Sequence, residues 1–201
     1  MKQIGLFGGS FNPVHRGHLL LAQAALAQLG LDEVWFVPCA ESADGKVLAP
    51  AASRLRWLRK AVKDEPGFKV CDLELKRGGV SRTITTLRQL RRLAGAKRRF
   101  TLLMGEDQAV RFHTWKEADK IPALAGLAAF KREGVRKKVI SGFQFQWVEF
   151  PYVKISSSEI RLRIKQKKSL LKLLPSALFG DPEIEQMFRQ GMGPKLGIIP
   201  G

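Results

Sequence analysis

Two histidines three residues apart, His15 and His18, follow a glycine turn in the stretch Gly8-Gly9-Ser10-Phe11-Asn12-Pro13-Val14-His15-Arg16-Gly17-His18. Gly8 and Gly9 carry no Cβ, so an anion can approach their backbone N–H groups closely, and Pro13 stiffens the turn that follows. A helix starting after Gly17 would add its free amides and its positive end at the same spot. His15 and His18, at i and i+3, would then face one bound group. The chemistry suggested is the handling of a phosphate. A metal centre is the weaker reading, because the third and last histidine is His113 and no Cys or carboxylate stands at ligand spacing beside the pair. No Gly-Lys-Ser/Thr follows the glycines, and the spacing is not that of the dinucleotide fingerprint G-x-G-x-x-G.

Three further places carry polar groups suited to the same ligand. Asp107, in Gly105-Glu106-Asp107 after an apolar run, could cap the next helix or contact a ribose hydroxyl. Trp115, behind His113 and Thr114, suits a core position or a platform for an aromatic ring. Ser156 and Glu159 have capping-box spacing, and Arg161 in the same first turn has a guanidinium fork that matches a phosphate. The loop of residues 39–50 offers a single cation, Lys46.

These groups need a scaffold that brings them to one rim. Residues 4–9 read as an apolar strand, 19–29 as an amphipathic helix ended by Gly30, and 34–37 as a second strand closed by Pro38. That is a parallel βαβ unit, whose ligands bind at the carboxyl ends of the strands. A helix over residues 53–62 is expected to keep its apolar stripe inward and Arg54, Arg56, Arg59 and Lys60 on its other faces. Residues 68–75 alternate as a strand. Residues 81–93 read as a helix capped by the hydroxyls of Ser81-Arg82-Thr83, 99–104 as a strand, 124–131 as a strand, 132–138 as a basic turn, and 143–150 as the last strand. The fold class is α/β, a Rossmann-like parallel sheet with helices on both faces in a single domain of residues 1–201, the glycine- and proline-rich 191–201 being a flexible tail.

The chain of 201 residues has 45% hydrophobic content, enough for one substantial core. Its 35 Lys and Arg against 18 Asp and Glu give +17, a charge that attracts polyanions without choosing among them. The basic runs 88–99 and 161–172 lack interleaved aromatics and read mostly as solvated helical faces. Cys39 and Cys71 are isolated, the default being free thiols in a reducing compartment. No signal peptide and no 18-residue apolar run is present, so a cytoplasmic protein with no membrane partner is expected.

The glycine turn followed by His-x-Gly-His resembles the signature of the nucleotidylyltransferase superfamily. From Ile4 to about Pro175 the order of motifs is similar to that of bacterial nicotinate mononucleotide adenylyltransferases: the first turn, then Ser81-Arg82-Thr83-Ile84-Thr85-Thr86-Leu87, Gly105-Glu106-Asp107 with Thr114-Trp115, and Ile155-Ser156-Ser157-Ser158-Glu159-Ile160-Arg161. Two departures are an Arg82 where the family has tyrosine, and the lack of Pro-Pro-His-Lys after the second strand. The resemblance implies adenylyl transfer from ATP to nicotinate mononucleotide, giving deamido-NAD and pyrophosphate, with Mg2+ carried on the ATP phosphates and no metal held by protein side chains. It implies catalytic roles for His15, His18 and Arg161. Gly8, Gly9, Ser10, Phe11, Lys46, Gly105, Asp107, Ser156 and Ser157 would bind ATP, and Thr83 and Trp115 the nicotinate mononucleotide. Open alternatives are transfer to nicotinamide mononucleotide, phosphopantetheine or another phosphate, by adenylyl or cytidylyl chemistry, and a non-catalytic nucleic-acid-binding protein on the same fold. Intact His15 and His18 argue against nucleic acid as the partner, and self-association is left open.

Overall fold

Apolar residues on both faces of successive strands require cover on both sides, and the chain supplies it. The computed structural model describes residues 1–132, 142–150 and 155–189. Six strands, β1 (Lys2–Gly9), β2 (Glu33–Pro38), β3 (Phe68–Val70), β4 (Arg98–Gly105), β5 (Gly126–Arg132) and β6 (Gln146–Phe150), form one sheet in the order β3-β2-β1-β4-β5-β6. Every neighbouring pair is parallel. Strand order reverses between β1 and β4, the switch point where such sheets open a crevice at the carboxyl ends. The glycine turn leaves β1 there, and Gly105 ends β4 beside it.

Period-two alternation divides the core. Phe7, Val34, Phe36, Leu103, Phe130 and Val148 point to one face, under α1 (Arg16–Leu29), α2 (Ala51–Val62), α6 (Ser157–Lys165) and α7 (Pro182–Arg189). Ile4, Leu6, Val37, Phe100, Leu102 and Met104 point to the other, under α4 (Thr83–Ala94) and α5 (Glu106–Val110). Gly30 closes α1 in the left-handed conformation, φ 60°, as expected. The α7 helix is tied to α2 by Glu183, which accepts from Ser53 Oγ (2.7 Å) and Trp57 Nε1 (2.8 Å) and pairs with Arg56. Among the described residues no helix is long and apolar enough to cross a membrane.

Several expectations are corrected. The strand expected over 68–75 stops at Val70, and Leu73–Arg77 form a short helix, α3, that turns Leu73 onto the second core face and buries Glu74. The hydroxyls before α4 do not cap it: Arg82 holds the N-cap position in extended backbone, and Ser81 Oγ accepts from the Ala40 N–H at 3.0 Å. Asp107 does not occupy the cap of α5, since Gly105 stands there and Asp107 lies in the first turn. The helix expected after Gly17 starts at Arg16, that expected from 53 starts at Ala51, and that expected from 81 starts at Thr83. The strand expected over 124–131 runs Gly126–Arg132, and that over 143–150 runs Gln146–Phe150, because Phe143 and Phe145 leave the sheet to pack edge-on against Phe112, at 4.7 and 5.7 Å between centroids. Arg54 is not on an outer face of α2 but buried. The basic turn through residue 138 and the tail 191–201 lie outside the described residues.

Candidate active site

The site is built on the loop between β1 and α1. Phe11 enters a positive φ (45°) and sinks its ring into the core, 6.0 Å edge-on from Phe7 and 5.7 Å from Phe36, so only its backbone can face a ligand. Asn12 precedes a cis Pro13 and is buried, its Oδ1 accepting from the Ala49 N–H at 3.1 Å. Beneath the loop lies Arg54, 1% exposed, which donates from Nε to Ala49 O (2.9 Å), from Nη1 to Ser10 O (2.9 Å) and Cys39 O (2.9 Å), and from Nη2 to Ala40 O (3.1 Å). Four carbonyls from three places in the chain thus share one guanidinium, whose planar fork an ammonium could not replace. Sequence reasoning missed this residue. The signal was available: Arg54 falls four residues before Leu58 and seven before Ala61, on the buried stripe.

His15 takes the N-cap of α1, and its ring stacks on that of His18, with centroids 3.6 Å apart and planes 26° off parallel. Gly17 makes room: a Cβ there would sit 3.0 Å from His15 Nδ1 and 3.1 Å from its Cε1. The Nδ1 of His18 accepts from the His15 backbone N–H (3.1 Å), which leaves the proton of a neutral ring on Nε2. Phe11 lies edge-on to His18 at 5.0 Å. Burial lowers the pKa of His15 to about 4. His18 is held well below its ordinary value by burial first and by the neighbouring His15 second. His15 Nδ1 is buried without a hydrogen-bond partner, in keeping with a ring that stays neutral.

The N-terminus of α6 docks on the same loop. Ser157 Oγ donates to Pro13 O (2.9 Å), and Arg161 donates from Nη1 to Asn12 O (2.8 Å) and from Nη2 to Ser158 Oγ (3.0 Å). Ser156 caps the helix, accepting from Glu159 N–H at 3.1 Å. The capping box is half formed, because the Glu159 carboxylate turns along the helix to Arg163 Nε at 2.8 Å.

Outward from the glycines opens a cleft of about 310 Å³ whose walls include Gly8, Gly9, Ser10, Lys46, Gly105, Thr83 and Trp115. A Cβ on Gly8 would meet nothing within 4 Å, so that backbone faces open space. Trp115 packs on Phe112, 5.2 Å between centroids, and its ring also walls an adjoining cavity of about 290 Å³ with Arg82, Thr83, Arg111 and Lys116. Lys46 pairs with Asp44 at 3.2 Å in an exposed contact of the kind worth little. The expected residues therefore fall into two groups joined by the Asn12–Pro13 turn: those that line the cleft, and the paired helix ends of His15, His18, Ser156, Ser157 and Arg161. Asp107 is exposed and does not line the cleft. Glu74 and Gln108 line it without having been singled out by the sequence, and so does Ser81, which the sequence offered only as a helix cap and as part of a motif.

The profile of the cytidylyltransferase-like family matches residues 6–163. A protein of Shouchella clausii named probable nicotinate-nucleotide adenylyltransferase is 38% identical over 192 residues, 94% of this chain and 95% of that one. One of the same name from Thermus thermophilus is 40% identical over 181 residues, 88% of this chain and 94% of that one. Among solved structures, Plasmodium falciparum nicotinic acid mononucleotide adenylyltransferase complexed with NaAD superposes with a TM-score of 0.77 at 20% identity, over 94% of this chain and 98% of that one, a likeness of fold. With the glycine turn at the switch point, the stacked histidines and the docked α6 in place, the match over most of its length establishes that this chain belongs to the cytidylyltransferase-like family, alongside the nicotinate-nucleotide adenylyltransferases.

Proposed function

We propose that this protein transfers the adenylyl group of ATP to the phosphate of nicotinate mononucleotide, releasing pyrophosphate and forming deamido-NAD, a step of NAD biosynthesis. One observation carries the reading: a single cleft of about 310 Å³ is walled by the open backbone of Gly8 and Gly9, by Trp115 and by the start of α4 at Thr83, a phosphate end and an aromatic end in one cavity. The names of relatives at 38–40% identity support it.

In this reading the acceptor phosphate, already an anion at neutral pH, attacks the α-phosphorus of ATP, and pyrophosphate leaves from the opposite side. Gly8, Gly9, Ser10 and Phe11 present backbone amides to the transferred phosphoryl. His18 donates from Nε2 to charge that grows in the transition state, and His15 fixes its ring by stacking and by the N–H bond to Nδ1. The amides at the start of α1 and α6, with Arg161, take the pyrophosphate end, and Lys46 closes over it. Gly105 borders the ATP nucleoside from the cleft wall, and Asp107, exposed in the first turn of α5 outside that wall, is assigned the ATP ribose by the resemblance alone. Thr83 and Trp115 hold the pyridine ring by backbone amides and stacking. Neutral imidazoles suit this task, since they donate without committing a permanent charge before the phosphates arrive. Among the described residues no three His, Cys, Asp or Glu side chains cluster as a cation cage. Mg2+ carried on the ATP phosphates would neutralise part of their charge and, keeping its waters, would need few protein ligands.

The test is pyrophosphate release with ATP and a panel of acceptors: nicotinate mononucleotide, nicotinamide mononucleotide and phosphopantetheine. The reading expects the highest kcat/KM with the first. A faster rate with phosphopantetheine, or none with either mononucleotide, would refute it.

A further inference from the structure

Glu74 stands in the cleft without a part in the chemistry described. Its residue is 7% exposed, yet it lines the cavity shared by Gly8, Gly9, Ser81, Thr83 and Trp115. Thr86 Oγ1 donates to its Oε1 at 2.5 Å, and that hydroxyl in turn accepts from Arg77 Nη1 and Nη2, each at 3.3 Å, so the carboxylate is aimed by a brace between α3 and α4. Among the described residues no hydrogen bond engages Oε2. A fixed carboxylate in a crevice built for two polyanions is unfavourable unless it meets a donor on the ligand. Nicotinate mononucleotide has two hydrogen-bond donors at neutral pH, its ribose hydroxyls. Glu74 also has the right place along the cleft. It lines the cleft together with the glycines at one end and Thr83 and Trp115 at the other, and not the adjoining cavity of Arg82, Thr83, Arg111, Trp115 and Lys116, a lining that suits contact with the sugar between a phosphate and a ring.

We propose that Glu74 is a binding residue for the acceptor's ribose, its carboxylate accepting a hydrogen bond from one of the two hydroxyls; this rests on the acceptor assignment above. It tells a ribonucleotide from a deoxyribonucleotide or a non-sugar phosphate.

Steady-state rates of wild type and Glu74→Gln with nicotinate mononucleotide and its 2′-deoxy and 3′-deoxy analogues, and with 2′-deoxy- and 3′-deoxy-ATP, test it. Glu74→Gln should raise KM for nicotinate mononucleotide roughly ten- to hundredfold, the range for a hydrogen bond to a charged group. One deoxy acceptor should show the same loss on wild type and almost no further loss on the variant, because the two changes delete one contact. An equal loss with all three acceptors would make Glu74 a structural brace, and coupling to a deoxy-ATP would place it on the other nucleotide; either result overturns the proposal while wild-type turnover keeps the acceptor assignment. Wild type inactive with nicotinate mononucleotide overturns both. Should Glu74→Gln fail to fold, Glu74→Asp, which keeps the charge and shortens the reach, is put through the same comparison with the same criteria.

Discussion

A neutral imidazole that already accepts a backbone hydrogen bond on Nδ1 can donate only from Nε2, and the stacked pair holds His18 in that state. His18→Ala would take away a donor to developing charge together with its ring contacts to His15 and Phe11, so it should lose roughly 10² to 10³ in kcat, the usual cost of one such donor, with circular dichroism checking that the fold is kept. Near-normal kcat would remove His18 from the mechanism. His15 makes a second, thermodynamic prediction. Its folded pKa of about 4 lies below the unfolded value of 6.5, so the unfolded chain takes up a proton first as pH falls. The stability is fully present above pH 6.5 and is lost progressively down to about pH 4, by on the order of 3 kcal/mol at most. Denaturant unfolding of wild type and His15→Asn from about pH 7 to about pH 4 checks this, the variant being expected to lose less across that window. Parallel losses would show that His15 is not the titrating group.

At the level of elements, the site is two helix ends drawn onto one turn. Arg161 makes the connection, with one Nη on Asn12 O and the other on Ser158 Oγ. A lysine carries the same charge but cannot span both acceptors. Arg161→Lys is therefore predicted to keep much of its ATP affinity and to lose kcat, since what fails is alignment. A variant with unchanged kcat and only a raised KM for ATP would make Arg161 a plain electrostatic anchor. The strands β1, β2 and β4 and the helix starts at α1 and α6 were legible because apolar runs bounded by Gly, Pro and Ser are local signals. The docking of α6 on the loop between β1 and α1 across 144 residues, through Ser157 and Pro13, was not, because it depends on tertiary contact. The α3 helix was hidden for another reason. In Leu73-Glu74-Leu75 a period of two mimics a strand, and the packing that turns Leu73 onto the second core face and buries Glu74 is not a local signal. Arg54 shows the limit of reading charge as surface: four carbonyl bonds let a cation sit on the apolar stripe.

Over the whole molecule, part of the +17 charge is architectural. Arg91 donates to Leu124 O and Arg98 O with its guanidinium 5.7 Å from the Phe100 centroid, and Arg88 forks onto Glu117. The remaining excess would raise the encounter rate with anionic substrates in general. Their order along the cleft is testable. Trp115→Ala should raise KM for nicotinate mononucleotide more than for ATP, and an equal effect on both would assign the indole to the core.

The central claim is that the cradle aligns the two nucleotides for one direct displacement at the α-phosphorus, with no protein nucleophile. The stereochemistry of transfer from ATP made chiral by sulfur at the α-phosphorus measures this most directly. Deamido-NAD formed by a single in-line attack carries the inverted configuration, which is the predicted result; retention would require two displacements through a covalent adenylyl-enzyme and would contradict the account.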